Sequence, residues 1–326
     1  MKAIAQERFG PPDVMRLSDL DLPEVGPNDV LIRVCAAALN PYDWHMLRGN
    51  PVIARLIPGG LGLTRPAHPV AGLDAAGVVE TVGASVRGLQ PGDEVFGFCP
   101  GAFSEYAAGA ADRLAPKPAN LTFEQAATLP VAATTALRGI RDAGKVQAGQ
   151  RVLINGAAGG VGTFAVQIAV ALGAEVTGVC RTSNVELVRS LGASRVIDYT
   201  SEDFTARREA YDLILDNVGN RPLRSLRRAL TRTGTLVINA GGSPGEFFGP
   251  VGAMVKAALA DRFVRQHLRI LPVRQERAEL TAVSEFVESG TLTPVIDRTY
   301  PLADTAAALR YVEQGHVRGK VVITVP

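Results

Sequence analysis

The sequence predicts a two-part α/β protein: a β-rich first third, followed by a doubly wound parallel sheet with helices on both faces. Three observations carry this. At 326 residues the chain is long enough for two hydrophobic cores. From about Arg151 onward, short apolar, β-branched runs alternate with helical patterns. One strand-to-helix turn, "INGAAGGVGTF" (Ile154 to Phe164), is crowded with residues that lack side chains. Glycine costs backbone entropy and adds nothing to packing, so that turn is shaped for something that approaches the backbone.

Taken in order, the first third reads as strands "KAIA", "DVLIRVCAAA", "AAGVVETVG", "DEVFGF" and "FSEYAA", separated by the turn signals "GPP", "GPND" and "QPGD". The character changes at Leu121. Thr122 is a candidate N-cap with Gln125 at the capping-box position, and a mostly apolar run to Ile140 follows as helix. Then come strands "RVLIN", "EVTGVC", "SRVIDY", "YDLILDNV" and "GTLVINA", with helices near Val161 to Leu172, Val185 to Leu191 and Pro222 to Leu230. "RFVRQHLRIL" is a candidate sixth, outer strand. The tail carries a helix near Glu276 to Ser289, the extended "PVIDRTYPL", a helix near Asp304 to Glu313 and the closing strand "KVVITV". The economical arrangement returns this tail to the first domain, giving domains of residues 1–120 with 273–326, and 121–272.

Composition narrows the function classes. Lys+Arg 34 against Asp+Glu 32 leaves +2, too little for a global field that grips nucleic acid or an acidic membrane. The expected partner is a small molecule. Cys35, Cys99 and Cys180 stand far apart, with neither disulfide-framework nor zinc-knuckle spacing, and the start "MKAIAQERFG" lacks a signal-peptide pattern. These features give a reduced, cytoplasmic protein as the expectation.

Within the first βαβ unit, strand Arg151 to Asn155 feeds Gly156, Ala157, Ala158, Gly159, Gly160, Val161 and Gly162, then a helix. The fingerprint G-x-G-x-x-G fits with Ala157 at its first position, then Gly159 and Gly162. Gly159 lets the backbone approach a pyrophosphate, and Gly162 lets helix and strand pack closely. The helix N-terminus offers oriented N–H groups to the phosphate. The reading is a dinucleotide site. About 20 residues on, an acid would hold the ribose 2′-OH of NAD; the text here is "GVCRTSN" instead. Arg181, Thr182 and Ser183 offer a guanidinium and hydroxyls suited to a 2′-phosphate, which favours NADP(H). The competing reading makes Arg181 a solvated surface charge.

The order "NPYDWHMLRG", "HPVAGLDAAGVVETVG", "PGDEVFGF", "INGAAGGVG", "DNVG" and "GKVVITV" resembles the medium-chain dehydrogenase/reductase superfamily, in its zinc-free quinone oxidoreductase (zeta-crystallin-like) branch. The resemblance spans almost the whole chain. It implies a discontinuous GroES-like catalytic domain and a Rossmann domain. Asn40 stands where the zinc-dependent relatives have a cysteine ligand, and "GLD" replaces "GHE", putting Leu73 at the histidine position. Neither supplies the thiolate or imidazole that Zn²⁺ takes, so no metal is expected.

In the zinc-free branch N-x-x-D-x-Y lines the acceptor pocket; its matches are Asn40, Asp43 and, in place of tyrosine, His45. His45 is either a donor to the developing oxygen anion or a pocket wall, with water supplying the proton. Asp74 resembles the "GxD" position that holds backbone groups. By the same resemblance Thr135 lies near the nicotinamide, while Asn217 and the segment Ala240, Gly241 and Gly242 lie at strand ends facing the cofactor. Gly319 and Lys320 close over the cofactor from the tail, or Lys320 is simply exposed. His68, His267 and His316 lack partner spacing and read as structural.

The function implied is NADPH-dependent reduction of a quinone or an α,β-unsaturated carbonyl compound. The alternatives are an enoyl-thioester reductase, with Arg55 and Arg65 on a basic rim, and a non-catalytic nucleotide-binding or structural protein. The apolar outer strand and the family pattern also imply a homodimer.

Overall fold

The computed structural model describes residues 1–50, 55, 61–239, 264–271 and 274–326. They form two compact units, Met1–Thr134 with Arg274–Gly290 and Pro294–Pro326, and Thr135–Val273 with Thr291–Thr293. The tail therefore returns to the first unit.

The first unit holds β1 (Lys2–Ala5), β2 (Arg16–Asp19), β3 (Asp29–Leu39), α1 (Pro41–Arg48), β4 (Asp74–Val82), β5 (Glu94–Phe98), β6 (Tyr106–Ala110), β7 (Leu114–Pro116) and α2 (Phe123–Ala127). It also holds the start of α3 (Pro130–Leu137), the helix Arg277–Glu288, the strand Ile296–Pro301, the helix Thr305–Glu313 and the closing strand Lys320–Thr324. β1 and β2 pair as a two-stranded ribbon. The main sheet runs Ile296–Pro301, Lys320–Thr324, β3, β4, β5, β7, with β6 also on β3. β3 serves three neighbours. Its first half pairs with β6, its last residues pair with the closing strand, and register shifts at Leu31/Ile32 and Val34/Ala36 let it follow β4 along most of its length. The core between this sheet and the Thr305–Glu313 helix includes Val30, Ile32, Val34, Leu39, Trp44, Phe103, Leu309 and Ile323.

Three local readings are corrected. α1 falls where the sequence suggested only strands and loops: Asn40 is its N-cap, Pro41 opens it, and Gly49 ends it in the left-handed region at φ 63. The single helix expected from Thr122 to Ile140 is broken at Thr128 and Leu129. Pro130 has no N–H, and its ring would collide with a carbonyl of the preceding turn, so it starts α3 instead. The boundary between the units lies at Thr134 rather than 120, because α2 packs on β3 and β4. The Thr122 capping box does form, with Thr122 N–H donating to Gln125 Oε1 at 3.0 Å and Gln125 N–H to Thr122 Oγ1 at 3.3 Å.

The second unit is built on β8 (Arg151–Asn155), β9 (Glu175–Cys180), β10 (Arg195–Asp198), β11 (Tyr211–Asp216), β12 (Leu230–Ile238) and β13 (His267–Ile270). Their order, β10-β9-β8-β11-β12-β13, is parallel throughout. Taking β8 as first, that is 3-2-1-4-5-6, the doubly wound order in which the strand order reverses between β8 and β11 while all strands stay parallel. α4 (Gly160–Ala171), α5 (Val185–Ser190) and α6 (Leu223–Ala229) connect the strands. Thr291–Thr293 joins this unit because Gln167 of α4 donates from Nε2 to Thr293 O and accepts the Thr293 N–H, at 3.0 and 2.8 Å.

Candidate active site and dinucleotide turn

In the second unit the glycine turn is held from below. Gly156 takes φ 78, the Ala157 N–H donates to Val179 O of β9 at 3.0 Å, and the Gly159 N–H donates back to Gly156 O at 3.1 Å. A Cβ on Gly162 would stand 2.1 Å from Gly156 O, so only glycine lets α4 sit this close to the turn. Gly159 differs. At φ −82 and ψ 178 any residue is allowed, and the nearest atom to an added Cβ is Gly156 O at 3.5 Å. Among the described residues the space beside Gly159 is open at the head of α4, and no side chain caps the N–H groups of Gly160, Val161 and Gly162. Such a turn fits a phosphate.

Around it, Asn217 donates from N and Nδ2 to Asn155 O at 3.3 and 3.1 Å, and accepts from Asn239 Nδ2 at 2.8 Å. Buried Asp216 accepts from Asn155 Nδ2 at 2.8 Å and from the N–H groups of Val218 and Gly219. This network anchors the Asn217 segment beside the turn; the expected Ala240, Gly241 and Gly242 lie outside the described residues. Arg181, Thr182 and Ser183 are exposed just past β9. Thr182 is already engaged: its hydroxyl donates to Asp198 Oδ2 at 2.6 Å, while Asp198 Oδ1 takes the Thr200 N–H and hydroxyl at 3.0 and 2.7 Å. The Thr182 bond and the Thr200 bonds hold Asp198 below the usual carboxylate range, so an anion stands against Thr182. Sequence reasoning passed over Asp198, although "VIDYT" showed an acid at a strand end. Thr135 is buried in α3 and accepts from Arg138 Nη2 at 3.3 Å.

In the first unit the tail arrives at the head of α1. Lys320, 3% exposed, donates from Nζ to Leu39 O at 2.9 Å and to Asn40 Oδ1 at 2.5 Å. Asn40 in turn donates from Nδ2 to Asp74 Oδ2 at 2.9 Å and from its backbone N to Asp43 Oδ2 at 2.7 Å. Asp74 also accepts the Val131 N–H of α3, at 3.2 Å to Oδ1, and lies 3.6 Å from Lys320 Nζ. Burial pushes Asp43 up to about 7 and Asp74 up to about 6, and pulls Lys320 down. The reading of Lys320 as an exposed residue is thus corrected: it is a buried partner of Asn40. Gly319 before it takes φ 81, and a Cβ there would meet Val295 O at 2.2 Å.

His45, one turn into α1, stacks on Trp44 with ring centroids 3.7 Å apart. Its buried Nδ1 has no hydrogen-bond partner among the described residues, and burial lowers its pKa. His68, His267 and His316 are exposed. Arg55 holds the C-terminal end of α1, donating to Gly49 O and Arg48 O at 2.7 and 2.6 Å, over the Phe9 ring. It is therefore not free for a basic rim; Arg65 is exposed.

A zinc ion does not fit this arrangement. Leu73 is a buried hydrocarbon, and the Asn40 oxygen faces an ammonium group. Purified active protein is expected to carry no stoichiometric zinc by elemental analysis, and a chelator is expected to leave its rate unchanged.

Comparison with known proteins follows the same outline. The family model for the alcohol dehydrogenase GroES-like domain matches residues 26–119, and the one described as zinc-binding dehydrogenase matches residues 191–323. The mouse mitochondrial NAD(P)H oxidoreductase RTN4IP1 is 35% identical over 353 residues, covering 100% of this chain and 89% of its own. The Arabidopsis thaliana chloroplastic NADPH-dependent alkenal/one oxidoreductase is 34% identical, covering 99% of this chain and 79% of its own. The solved quinone oxidoreductase of Coxiella burnetii superimposes with a TM-score of 0.85 at 32% identity, covering 100% and 99% of the two chains.

Proposed function

Because the chain belongs to the medium-chain dehydrogenase/reductase superfamily, in its zinc-free quinone oxidoreductase branch, we propose that it reduces quinones or α,β-unsaturated carbonyl compounds with NADPH. It is an oxidoreductase that uses a nicotinamide cofactor. The observation that carries the choice of acceptor is Lys320 bound to Asn40, at the position the zinc-dependent relatives give to a metal ligand. An acceptor that needs no metal spreads negative charge by conjugation onto an oxygen, where preorganised donors can stabilise it.

The cofactor supplies a hydride to the β-carbon of an enone or to the quinone ring. The residues of this chain do the rest. Gly156 to Gly162 and the head of α4 hold the pyrophosphate, and the Asn217 segment backs that turn. The charge that develops on the acceptor oxygen is neutralised by one proton, from water or from His45. Among the described residues the His45 Nδ1 is unpaired, so it is the group this chain offers to that oxygen.

Steady oxidation of NADPH with a panel of quinones, enones and crotonyl thioesters tests the reading. Turnover of quinones or enones above thioesters is expected, in line with Arg55 being occupied at the end of α1. No oxidation with any acceptor would leave only the nucleotide-binding alternative.

The pH dependence assigns the proton. His45 has its pKa lowered by burial, so the ring is neutral at pH 7 and charged only on the acid side of 6.5. If its imidazolium delivers the proton, kcat falls as pH rises through a value below 6.5, and His45→Phe flattens that limb. If the neutral ring only orients the oxygen, His45→Phe lowers kcat by about 10-fold at every pH, the low end for a positioned donor. Rate profiles from pH 5 to 8 separate the two.

NADPH over NADH is supported by exposed Arg181, whose guanidinium no described residue holds. A homodimer is supported by β13, which pairs with β12 on one side only among the described residues. Light scattering at assay concentration is expected to give twice the chain mass. Three free cysteines suit a reducing compartment, and the cytoplasm is the proposed one; cell fractionation tests it.

A further inference from the structure

Lys320 and Asp74 are buried charges, and the reductase reading gives neither of them a step. Their chemistry still fixes a geometry. An ammonium can only donate and a carboxylate only accept, so Lys320 must take the oxygen end of the Asn40 carboxamide and Asp74 the nitrogen end. The opposite orientation would set like against like at both ends. The same two residues reach backbone at the heads of two helices: Lys320 holds Leu39 O just before α1, and Asp74 holds the Val131 N–H in the first turn of α3.

We propose that Lys320 is a positioning residue that acts through Asn40 and Asp74 to fix the head of α1, the helix that bears His45, against the head of α3. The inference rests on the reductase reading and deepens it. A buried ion pair is a poor way to add stability, since apolar residues of the same volume often do as well. A chain of bonds that runs from the closing strand through Asn40 and Asp74 to α3 admits only one arrangement of those elements, and polar groups linked this way reinforce one another. The carboxamide is also polarised, with a positive charge at its oxygen and a negative one at its N–H.

The test compares wild type, Lys320→Met, Asp74→Asn and the double variant in thermal unfolding, NADPH titration by fluorescence, and steady-state turnover of one good acceptor. Lys320→Met leaves Asp74 buried without its counter-charge and is expected to lower both the melting temperature and kcat. In the double variant both charges are gone, so the melting temperature is expected to recover to within a few degrees of wild type. Its kcat is expected to stay about 100-fold down, the scale of an ångström-size misplacement, with NADPH affinity within threefold of wild type.

Recovery of kcat together with stability would make the cluster a merely structural element and overturn the proposal. Loss of NADPH affinity in the double variant would return Lys320 to the cofactor site and also overturn it. A wild-type chain inert with every acceptor would overturn the reductase reading, and this inference with it.

Discussion

Gly159→Ala is expected to leave the fold standing and to remove the cofactor, whereas Gly162→Ala should damage both. At Gly159 the backbone angles suit alanine, and the new methyl group would meet only Gly156 O at an ordinary 3.5 Å. The loss of a good N-cap and the gain from a stiffer unfolded chain are each about 1 kcal/mol or less and oppose one another. The melting temperature should move by no more than about 3 °C. The methyl group would nevertheless occupy the open space at the head of α4. Each phosphate contact it displaces costs ~1.5–3 kcal/mol, a loss of about 10- to 150-fold in NADPH affinity.

At Gly162 the balance differs. Alanine gains ~1 kcal/mol in helix propensity, but its Cβ would lie 2.1 Å from Gly156 O and 2.8 Å from the Ala157 backbone. Backbone cannot swing aside as a side chain can, so the clash wins, at ~1–3 kcal/mol of overpacking or more. Thermal unfolding with and without NADPH, together with cofactor titration, separates the variants. Equal loss of stability in both would mean that the turn is a packing device with nothing bound beside Gly159.

Arg181→Ala is expected to weaken NADPH by about 10- to 150-fold, the worth of one charge-assisted hydrogen bond of ~1.5–3 kcal/mol, and to leave NADH almost unchanged. The structure adds an opponent. Asp198 accepts from the Thr182 hydroxyl at 2.6 Å, so a 2′-phosphate bound at Arg181, Thr182 and Ser183 would meet a carboxylate at Thr182. Asp198→Asn should therefore strengthen NADPH several-fold, and the Arg181 effect should shrink with added salt because that side chain is exposed. Dissociation constants for both cofactors at two ionic strengths check this. Equal losses for NADPH and NADH in Arg181→Ala would make that arginine a surface charge.

The doubly wound half was legible because its signals are local: apolar strands of fitting length, glycine turns, and helices with one apolar face. The site was legible only in part. Asn40, Asp43 and His45 were found from the motif of the family the chain resembles, but their helix was missed although Asn40, Pro41, Asp43 and Gly49 carry start and stop signals. At eight residues α1 is too short for periodicity to show. The burial of Lys320 was not legible for another reason. A lysine at a strand start is ordinarily exposed; this one is buried because Asn40, 280 residues away in sequence, accepts from it. No window of sequence contains both partners. The break at Pro130 is local, since a proline cannot continue a helix, whereas the reach of the first unit to Thr134 is set by packing of α2 on β3 and β4.

The position of the closing strand has a consequence for biosynthesis. Lys320–Thr324 is not an edge addition: it lies between Ile296–Pro301 and β3 inside the main sheet. As the chain is synthesised from its N-terminus, β3 must wait with one side of its last residues unpaired while almost the entire second unit, continuous from Thr135 to Val273, is made and can close on its own. Pairings of such sequence separation are slow to form. The nascent first unit therefore passes through a stage that offers an unpaired strand to other chains, and the Asn40 site is completed only when the final strand inserts.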